Sequence, residues 1–532
     1  MKIRLRLTVV TVVWASVLVL LGIVVWGRAI NGTDFGTPVA VFLWLAALLA
    51  LVSFNGGTAY QWGHRRWKLR EQIKDSWIVN ARGRAMVWDG KSASMLIEVR
   101  GNPWELSLVG TDGFTSAPTI PLSDIRSELR QYDIVVNHIR VIEYGYKVGA
   151  DDRASSSMLS VMGGVPHLLG GRVFVEVSIT LSDNINAVAS RNREDSLETA
   201  LTRTIGIATE RVLRVFQTHN IRAHILTPPE ALVLQQELEG SLGEAIKRNT
   251  WEFSGAPGDA EVGAAVSFVP TVWDEKTQQQ WDEVLAHRQY NCLSLRPDGL
   301  VDRVSYASTY LVDDPSNLNL LGSQGLRREN GKHLSRIANL LPLSRDIPID
   351  DDGGRVIGRQ ENPGLHLPVH PLGVFLGLSQ NRSKVFMNIT RGGPPLWIIG
   401  DDEFARRFVL RLSTQRHRIT VALPDQGWYD LVQARNSSLL VFDQLPAQTL
   451  NFSDVIICTP EQATELEALS GKEGPALVVV SEYEPPLLPH ATLAGSDSGE
   501  WVYAQVGGVA IPIIREKPPT ERQWIPDQEY AR

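Results

Sequence analysis

Three consecutive carboxylates are the residues whose type most directly suggests chemistry. Asp350, Asp351 and Asp352 stand directly before Gly353-Gly354. Sugar-nucleotide transferases hold a divalent cation with a D-x-D motif, and carboxylate oxygens are the ligands that such cations prefer. A short acidic run before two glycines is also typical of a solvated turn. Both interpretations stay open, and the pattern favours the turn.

The histidines and cysteines have spacings that argue against common metal sites. His366 and His370 are four residues apart, but Pro368 lies between them, so they cannot share one face of a regular helix. Cys292 and Cys458 are too few for a disulfide scaffold or for a zinc site made of cysteines alone. Both cysteines lie in strand-like contexts and are predicted to be buried core thiols.

The common phosphate-binding and nucleophile motifs are missing from the sequence. A strand predicted to end at Gly400 is followed by Asp401, Asp402 and Glu403 instead of G-x-G-x-x-G, and three acids would repel a pyrophosphate. Neither the Walker pattern G-x-x-x-x-G-K-[ST] nor the nucleophile elbow G-x-S-x-G occurs. We therefore predict a protein that is not an enzyme and that holds no catalytic residues, cofactor or metal.

The charge of the 532 residues is unevenly distributed along the chain. Residues 1–70 contain eight basic residues and one acid, a charge of +7, whereas residues 71–532 contain 44 basic and 58 acidic residues, a charge of −14. Nucleic-acid binding by this acidic body is not expected, because phosphate contacts need Lys and Arg. The overall content of 43% hydrophobic and 21% charged residues excludes disordered and collagen-like classes.

Two uncharged apolar runs predict a transmembrane hairpin within residues 1–70. Helices are expected at about 7–26 and 37–55, because about 20 apolar residues cross about 30 Å of hydrocarbon. Basic residues precede the first run and follow the second, so both termini are expected in the cytoplasm, with the protein in the cell (inner) membrane. The residues expected at the membrane interface, in contact with lipid, are Trp26, Trp62, Arg65, Arg66, Trp67, Lys68 and Arg70.

Packing between the two predicted membrane helices is expected to be weak. Small residues let helix backbones approach closely in a membrane, usually at a spacing of four. The two runs contain few such pairs, of which Ala46 and Ala50 are one. Most of the affinity of this protein for partners is therefore expected to come from its body.

The body predicts fold class α/β in three parts. Residues 71–250 alternate strands and helices, with the clearest amphipathic helix at Arg193–His219. Residues 251–370 form a mixed middle region, and residues 371–532 have the strand–helix rhythm of a Rossmann-like unit. The glycine-rich loop at 149–171 is expected either to pack on the body or to contact a partner or the membrane.

Several segments resemble EccE, the two-pass membrane component of actinobacterial type VII (ESX) secretion systems. The resemblance begins with a hairpin followed by a large cytoplasmic body. It continues in four segments of the body: IPLSDIRSELRQYDIVVNHIRVIEYGYKV, GRVFVEVSITLSDNINAVASRN, ETALTRTIGIATERVLRVFQTHNIRAHILTPPE and PPLWIIGDDEFARRFVLRLSTQRHRITVALPDQGWYDLV. The last of these is similar to the C-terminal α/β unit of the longer family members.

The resemblance implies a structural subunit of a hetero-oligomeric membrane complex. Its partners would be EccB, the ATPase EccC and EccD, and the complex would export WXG100-type and, in some systems, PE/PPE proteins. The missing Walker pattern agrees with a role other than that of the ATPase. Two other functions stay open, a membrane-tethered glycosyltransferase-like enzyme and a scaffold of another membrane complex.

Overall fold

The computed structural model places most of the body and much of the N-terminal segment. The residues that it describes are 3–5, 9–29, 36–54, 57–58, 77–110, 113–116, 118–146, 167–192, 196–257, 263–274, 286–341, 354–358, 363–415, 417–443, 452–470, 474–485, 487–496 and 499–525, with the single residues 154, 157, 158, 162, 278, 281, 284, 361 and 450.

Ten α-helices lie within these residues. They are α1 (Val9–Ala29), α2 (Gly36–Leu51), α3 (Leu122–Ser127), α4 (Ile185–Ser190), α5 (Leu197–Thr218), α6 (Pro228–Lys247), α7 (His333–Leu340), α8 (Asp402–Leu412), α9 (Gln426–Arg435) and α10 (Pro460–Ser470). The predicted mixed α/β class is confirmed, because two large sheets accompany these helices.

The two N-terminal helices pack against each other as a pair. Three short strands pair antiparallel at one end of the two helices. Strand β1 (Ile3–Leu5), before α1, pairs with β2 (Val52–Phe54), after α2, and β2 also pairs with β3 (Gly57–Thr58). Taken over the described residues, which leave out part of the side chains of both helices, none of the helices is long and apolar enough to cross a membrane. The membrane crossings at 7–26 and 37–55 stay a prediction.

Small residues form the contact between α1 and α2, contrary to the expectation of weak packing through such residues. Ala15 and Gly22 on α1 and Ala40 and Ala47 on α2 are buried, and the members of each pair are seven residues apart. A Cβ atom added to Gly22 would lie 2.5 Å from Nε1 of Trp44. The expectation rested on pairs of small residues four apart. The pairs in the structure are seven apart, a spacing that also repeats on one face of paired helices.

The larger sheet is antiparallel and contains 13 strands. Its strands are β4 (Trp77–Ala81), β5 (Arg84–Trp88), β6 (Ser92–Val99), β9 (Arg130–Gln131), β10 (Ile134–Tyr146), β11 (Gly170–Thr180), β12 (Ala223–Ile225), β13 (Ser254–Gly255), β14 (Ala264–Pro270), β15 (Arg288–Asp298), β16 (Val301–Val312), β17 (Leu326–Arg328) and β18 (Gly354–Ile357). Its main order is β13-β14-β16-β15-β10-β11-β6-β5-β4. Helix α5 packs on one face, and α6 and α7 pack on the other.

This sheet contains the same topology twice, and the two copies meet at its centre. In the first copy β6 pairs with β11 and β11 with β10, while in the second β14 pairs with β16 and β16 with β15. In each copy a short fourth strand, β12 or β17, pairs with the first strand and leads into a helix on the same face, α6 or α7. Strands β10 and β15 pair antiparallel and join the copies.

The division of the body at residue 250 is therefore wrong. Residues 251–370 are not a separate middle region, because β14, β15 and β16 continue the sheet built by residues 77–180. The long antiparallel pairing of β15 with β10 joins them to it and contributes to one apolar face, on which Val141 and Leu293 are directly paired. Local sequence patterns show the strands and leave the pairing between strands undetermined.

Helix α5 confirms the amphipathic helix predicted at Arg193–His219, with an end set by a cap. It begins at Leu197, because the hydroxyl of Ser196 accepts a hydrogen bond from the backbone N–H of Thr199 at 3.3 Å. The apolar side chains that it buries against the sheet are Leu201, Ile205, Ala208, Val212 and Phe216.

Acidification should destabilise the protein through His333, the buried first residue of α7. Its Nδ1 accepts a hydrogen bond from the backbone N–H of Ser267 at 3.1 Å. Burial, with a contribution from Arg328, lowers the pKa of His333 to about 3. The unfolded chain therefore binds the proton first, so this stability is complete above about pH 6.5 and is lost as the pH falls towards 3.

We expect the free energy of unfolding to fall by about 2 kcal/mol between pH 7 and pH 5 on account of this one group. The His333→Gln variant should lack that share, as measured by denaturant unfolding of the full-length protein at both pH values. His490→Gln, at an exposed position, is the control. An unchanged pH dependence in His333→Gln would contradict the assignment.

The second large sheet contains 12 strands, six of them parallel. The strands are β7 (Leu106–Gly110), β8 (Gly113–Ser116), β19 (Val374–Ser379), β20 (Lys384–Met387), β21 (Leu396–Ile399), β22 (Ile419–Val421), β23 (Leu440–Phe442), β24 (Val455–Cys458), β25 (Ala476–Ser481), β26 (Ala491–Gly495), β27 (Trp501–Val506) and β28 (Val509–Ile514). Their order is β23-β22-β24-β25-β21-β26-β27-β28-β19-β20-β7-β8. The parallel part runs from β23 to β26.

The strand order of this parallel part differs from that of a Rossmann fold. A Rossmann sheet has its first strand beside the second and the fourth. Here the first strand of the unit, β21, lies between the fifth, β25, and the sixth, β26. The strand–helix rhythm predicted for this unit is confirmed, but rhythm carries no information on which strands become neighbours, and the strand order here is not that of a Rossmann fold.

Two segments from the N-terminal half complete the C-terminal unit. Strand β7 pairs with β20, so the sheet of the C-terminal unit extends beyond the predicted boundary at residue 371. The buried residues Met158 and Met162 pack with Phe375 and Phe386 in one apolar cluster. The loop at 149–171 therefore packs on the body at the residues that the structure describes.

Candidate functional site

The acids after strand β21 are engaged with cations and backbone groups of the same unit. Oδ1 of Asp401 accepts from the backbone N–H of Phe404 at 2.8 Å and caps α8, while Oδ2 lies 2.5 Å from Nη1 of Arg515. Asp402 lies 2.8 Å from Arg406. These carboxylates thus stabilise a helix end and its neighbours, and they form an unfavourable surface for phosphate.

The other chemistry-bearing residues noted in the sequence either have separate partners or lie outside the described residues. Asp350, Asp351 and Asp352 fall outside the described residues. His370 is buried, with Nε2 3.6 Å from Oε2 of Glu105, whereas the backbone N–H of His366 donates to the side chain of Gln278 at 3.0 Å. Over the described part of the chain, no group of three or more His, Cys, Asp or Glu side chains could hold a metal ion.

Both cysteines are buried core thiols, as predicted. Cys292 lies in β15 and Cys458 at the end of β24, and both are free thiols. Burial raises the pKa of Cys292 to about 11 and that of Cys458 to about 12. A thiol needs its thiolate form to act as a nucleophile, so neither is suited to that role near neutral pH.

A cleft of about 740 Å³ lies between the two large sheets. One wall comes from the end of β6, the start of β11 and helix α6, and the other comes from the loops around β22 and β24. Hydrogen bonds also join the two sides of the cleft. The side chain of Arg222 donates to the carbonyl of Gly392 at 2.9 Å, and that of Asn388 donates to the carbonyls of Arg100 and Asn102 at 3.3 and 3.2 Å.

Glu98 is the centre of an ion network on the first wall. Its carboxylate lies 2.8 Å from Arg100 and 2.7 Å from Arg172, and Arg172 also lies 3.1 Å from Glu237. Burial would raise the pKa of Glu98, but the two arginines outweigh burial and lower it. The guanidinium of Arg172 also stacks 5.0 Å from the ring centre of Phe174.

His224 and Glu230 extend this network towards solvent. The Nε2 atom of His224 lies 3.2 Å from Oε1 of Glu230, which also accepts hydrogen bonds through Oε2 from the backbone N–H and the hydroxyl of Thr227. Partial burial opposes ionisation, but these hydrogen bonds prevail and lower the pKa of Glu230 to about 2. Glu230 is therefore a fixed negative charge at neutral pH.

On the second wall, Asp454 is the acid that pairs with cations, as Glu98 does on the first. It accepts hydrogen bonds from the backbone N–H and the guanidinium of Arg418 at 3.0 and 3.1 Å, and Arg391 lies 3.6 Å away. Burial lowers the pKa of the neighbouring His417. The acids of the cleft are thus each held by a cation of the same wall, which is typical of structural ion networks and differs from a general acid–base pair poised near neutral pH.

These cleft residues were missed because their partners are distant in the sequence. Glu98 and Arg172 are 74 residues apart, and both lie in strands or at strand ends. The signal that the sequence does contain is the charge of Glu98 and Arg172, since an ionised side chain inside an apolar strand is rarely buried without a partner. The sequence could indicate that a partner exists, but not which residue it is.

Of the seven residues predicted at the membrane interface, the structure describes only Trp26. Its ring is 44% exposed and contacts Trp44 edge to face, with 5.8 Å between ring centres. Trp62, Arg65, Arg66, Trp67, Lys68 and Arg70 lie outside the described residues. The structure therefore does not test the predicted contact of these basic residues with lipid.

The outward surface of α1 and α2 is made of large apolar side chains. Its exposed members are Val13, Val17, Val19, Leu20, Leu21, Ile23, Val24, Trp26, Val39, Val41, Phe42, Trp44 and Leu45. Soluble monomers rarely expose so large a continuous apolar patch, and such patches mark contacts with protein or membrane. This surface and the cleft are the two candidate functional regions of the described chain.

Comparison with known proteins adds no assignment. No protein-family model matches the chain, and no curated protein matches it.

Proposed function

We propose that this chain is a non-catalytic structural subunit of a type VII (ESX) secretion membrane complex, held at the inner membrane by α1 and α2. The observation that carries the proposal is the apolar outer surface of these two packed helices, joined to an acidic body. A hydrocarbon or protein environment would cover that surface, whereas water would not. In the complex the body would bind EccB, the ATPase EccC and EccD.

The segments that resemble EccE fold as the elements expected of them, which supports the proposal. The first gives the short helix α3 followed by the long strand β10, and the next two give β11, α5 and the start of α6. The last gives β21, α8, β22 and α9 of the C-terminal unit. The agreement between the expected and the observed helices and strands supports the proposal at the level of the fold. The function still depends on the partners that the protein binds.

A membrane-tethered glycosyltransferase-like enzyme is the alternative. It would need acidic side chains free to hold a cation beside a sugar nucleotide. Asp401 is instead engaged by Arg515 and by the α8 N-terminus, and the cleft acids are paired within their walls. The described residues thus favour a structural role over this enzyme.

Co-purification from the native membrane tests the proposal. In mild detergent the protein should elute with EccB, EccC and EccD in constant ratio. Elution as a solitary, monodisperse protein would contradict the subunit assignment, and turnover of a sugar nucleotide by the purified protein would favour the alternative.

The orientation of the hairpin gives a separate prediction. Basic residues flank both helices on one side, so the loop between them should face outwards and the body should lie in the cytoplasm. A cysteine at Asn31 should react with an impermeant thiol reagent in whole cells, whereas one at Gln72 should react only after lysis. The native cysteines give little background, because both are buried. The reverse labelling would overturn this orientation.

A further inference from the structure

We propose that the cleft between the two large sheets binds a small organic carboxylate that also carries an N–H or O–H donor, such as an N-acylated amino acid or a hydroxy acid. The cleft has a volume of about 740 Å³, within the range of about 300–1,000 Å³ found for small-molecule sites. The proposed function makes no use of this cleft. Side chains of the second wall carry the inference, because their hydrogen-bonding groups lack protein partners.

Arg391 is a cation of this wall whose guanidinium makes no hydrogen bond with the described residues. Its Nε atom is buried and has no partner there. Its Nη1 atom lies 3.6 Å from Oδ1 of Asp454, which is an ionic contact beyond hydrogen-bond distance. The side chain is 39% exposed and lines the cleft. A guanidinium can hold a carboxylate through two parallel N–H donors, so Arg391 has the group that a ligand carboxylate needs.

The charge around Arg391 suits a single negative charge. Asp454 is shared between Arg391 and Arg418, whose Nη2 lies 3.1 Å from the same Oδ1 atom. Two cations around one carboxylate leave one positive charge. The first wall lines the cleft with three acids and two arginines, which are Glu98, Glu230, Glu237, Arg100 and Arg172. That wall disfavours a second negative charge, so a carboxylate is favoured over a phosphate dianion.

Two buried polar side chains of the same lining give the site a preference for a donor. The hydroxyl of Thr390 and Oε1 of Gln415 have no hydrogen-bond partner in the described part of the chain, and the residues are 8% and 5% exposed. Nε2 of Gln415 donates to the carbonyl of Gly373, which assigns Oε1 as the acceptor. A buried acceptor without a partner is unfavourable, so a ligand N–H or O–H that pairs with it is favoured.

The backbone brings these side chains to one place in the cleft. A Cβ atom added to Gly373, which holds the amide of Gln415, would lie 2.8 Å from Cα of Asn388. Asn388 comes two residues before Thr390 and three before Arg391, and its hydrogen bonds described above hold this segment against the first wall. The carboxylate-binding and donor-binding groups therefore belong to one fixed segment and its direct neighbour.

Binding of N-acetyl-L-leucine to the full-length protein in detergent, measured by calorimetry at low salt, tests the proposal. This probe has a carboxylate, an amide N–H and an apolar side chain, and the cleft lining includes the apolar residues Val233, Ile389 and Leu439. Two matched probes each lack one feature. N-acetyl-L-leucinamide has no carboxylate, and 4-methylpentanoate has no amide.

We expect saturable binding of N-acetyl-L-leucine, binding of 4-methylpentanoate that is weaker by about fivefold or more, and no saturable binding of the leucinamide. Arg391→Gln should weaken the binding of N-acetyl-L-leucine about tenfold or more, because a charge-assisted pair of hydrogen bonds is lost. Arg382→Gln is the matched control, an exposed arginine of the same unit outside the cleft, and it should bind as the wild type does.

Thr390→Val separates binding from folding. The hydroxyl that it removes is buried and has no partner in the described part of the protein, so the melting temperature should stay equal or rise. Its binding of N-acetyl-L-leucine should weaken about threefold or more. If Arg391→Gln does not fold, Thr390→Val decides between the two outcomes, weaker binding in support and unchanged binding against.

Absence of saturable binding of N-acetyl-L-leucine would overturn the proposal. Equal binding of N-acetyl-L-leucine and its amide would also overturn it, because no carboxylate would then be recognised. Unchanged binding in both Arg391→Gln and Thr390→Val would exclude the second wall as the site. These measurements need no partner protein, so their result is independent of the co-purification test.

Discussion

Replacing Glu521 by glutamine is expected to lower the free energy of unfolding by about 3–5 kcal/mol, because buried Arg411 loses this carboxylate, whereas buried Arg407 keeps its contact with Glu403 at 3.0 Å. The Glu521 carboxylate lies 2.8 Å from Arg407 and 3.0 Å from Arg411, and all three side chains are 2% exposed. Arg411 also donates to the backbone carbonyl of Glu516 at 2.7 Å. The segment after β28 is thus fixed on α8 by one buried carboxylate.

Thermal and denaturant unfolding of the full-length protein in detergent would measure the effect. Glu516→Gln is the matched control, since it changes a half-exposed carboxylate in the same segment and keeps the carbonyl that Arg411 uses. The Glu521→Gln variant should also be cleaved faster by trypsin after Arg522, in the same segment. Stability within about 0.5 kcal/mol of the wild type, the range of ordinary surface substitutions, would show that the buried network is not needed.

Truncating Trp104 to alanine is expected to cost about 3–5 kcal/mol and to loosen the contact between the two large sheets. The indole is 1% exposed and lies in the apolar core of the C-terminal unit, although its chain position belongs to the N-terminal half. Its Nε1 donates to the carbonyl of Pro394 at 2.6 Å. The substitution therefore leaves a cavity in the core and removes a hydrogen bond next to β21.

Tyr503→Ala serves as the control for loss of an aromatic ring, because Tyr503 is 50% exposed on the same sheet. The expected signature of Trp104→Ala is a lower unfolding midpoint together with faster proteolysis between β20 and β21. A lower unfolding midpoint with unchanged proteolysis would show that only the cavity in the core matters. Wild-type behaviour in both measurements would contradict the role of Trp104 in the contact between the two large sheets.

The candidate functional regions were predictable to different degrees. The apolar surface of α1 and α2 follows from composition, because any helix formed by an uncharged apolar run places apolar side chains on all of its faces. The cleft does not, since Glu98, Arg172 and Asp454 come from separate parts of the chain.

The sequence by itself determined the local elements. Strict alternation predicted β11, the 3.6-residue period predicted α5, and strand–helix rhythm predicted the elements from β21 to β25 and the strands β27 and β28, with ends that differ by a few residues. Strand β26 was not predicted. It also determined that Cys292 and Cys458 would be buried. These properties depend on neighbours within one or two turns of helix or along a single strand, so the information is local.

Only the tertiary structure decided which elements became neighbours. The pairing of β10 with β15 merged two predicted regions into one sheet with a repeated topology, and the pairing of β7 with β20 joined an N-terminal segment to the C-terminal unit. The position of β21 between β25 and β26 was equally undetermined. Strand pairing buries apolar faces that many partners could cover, so the choice depends on the free energy of the whole core and not on any one segment.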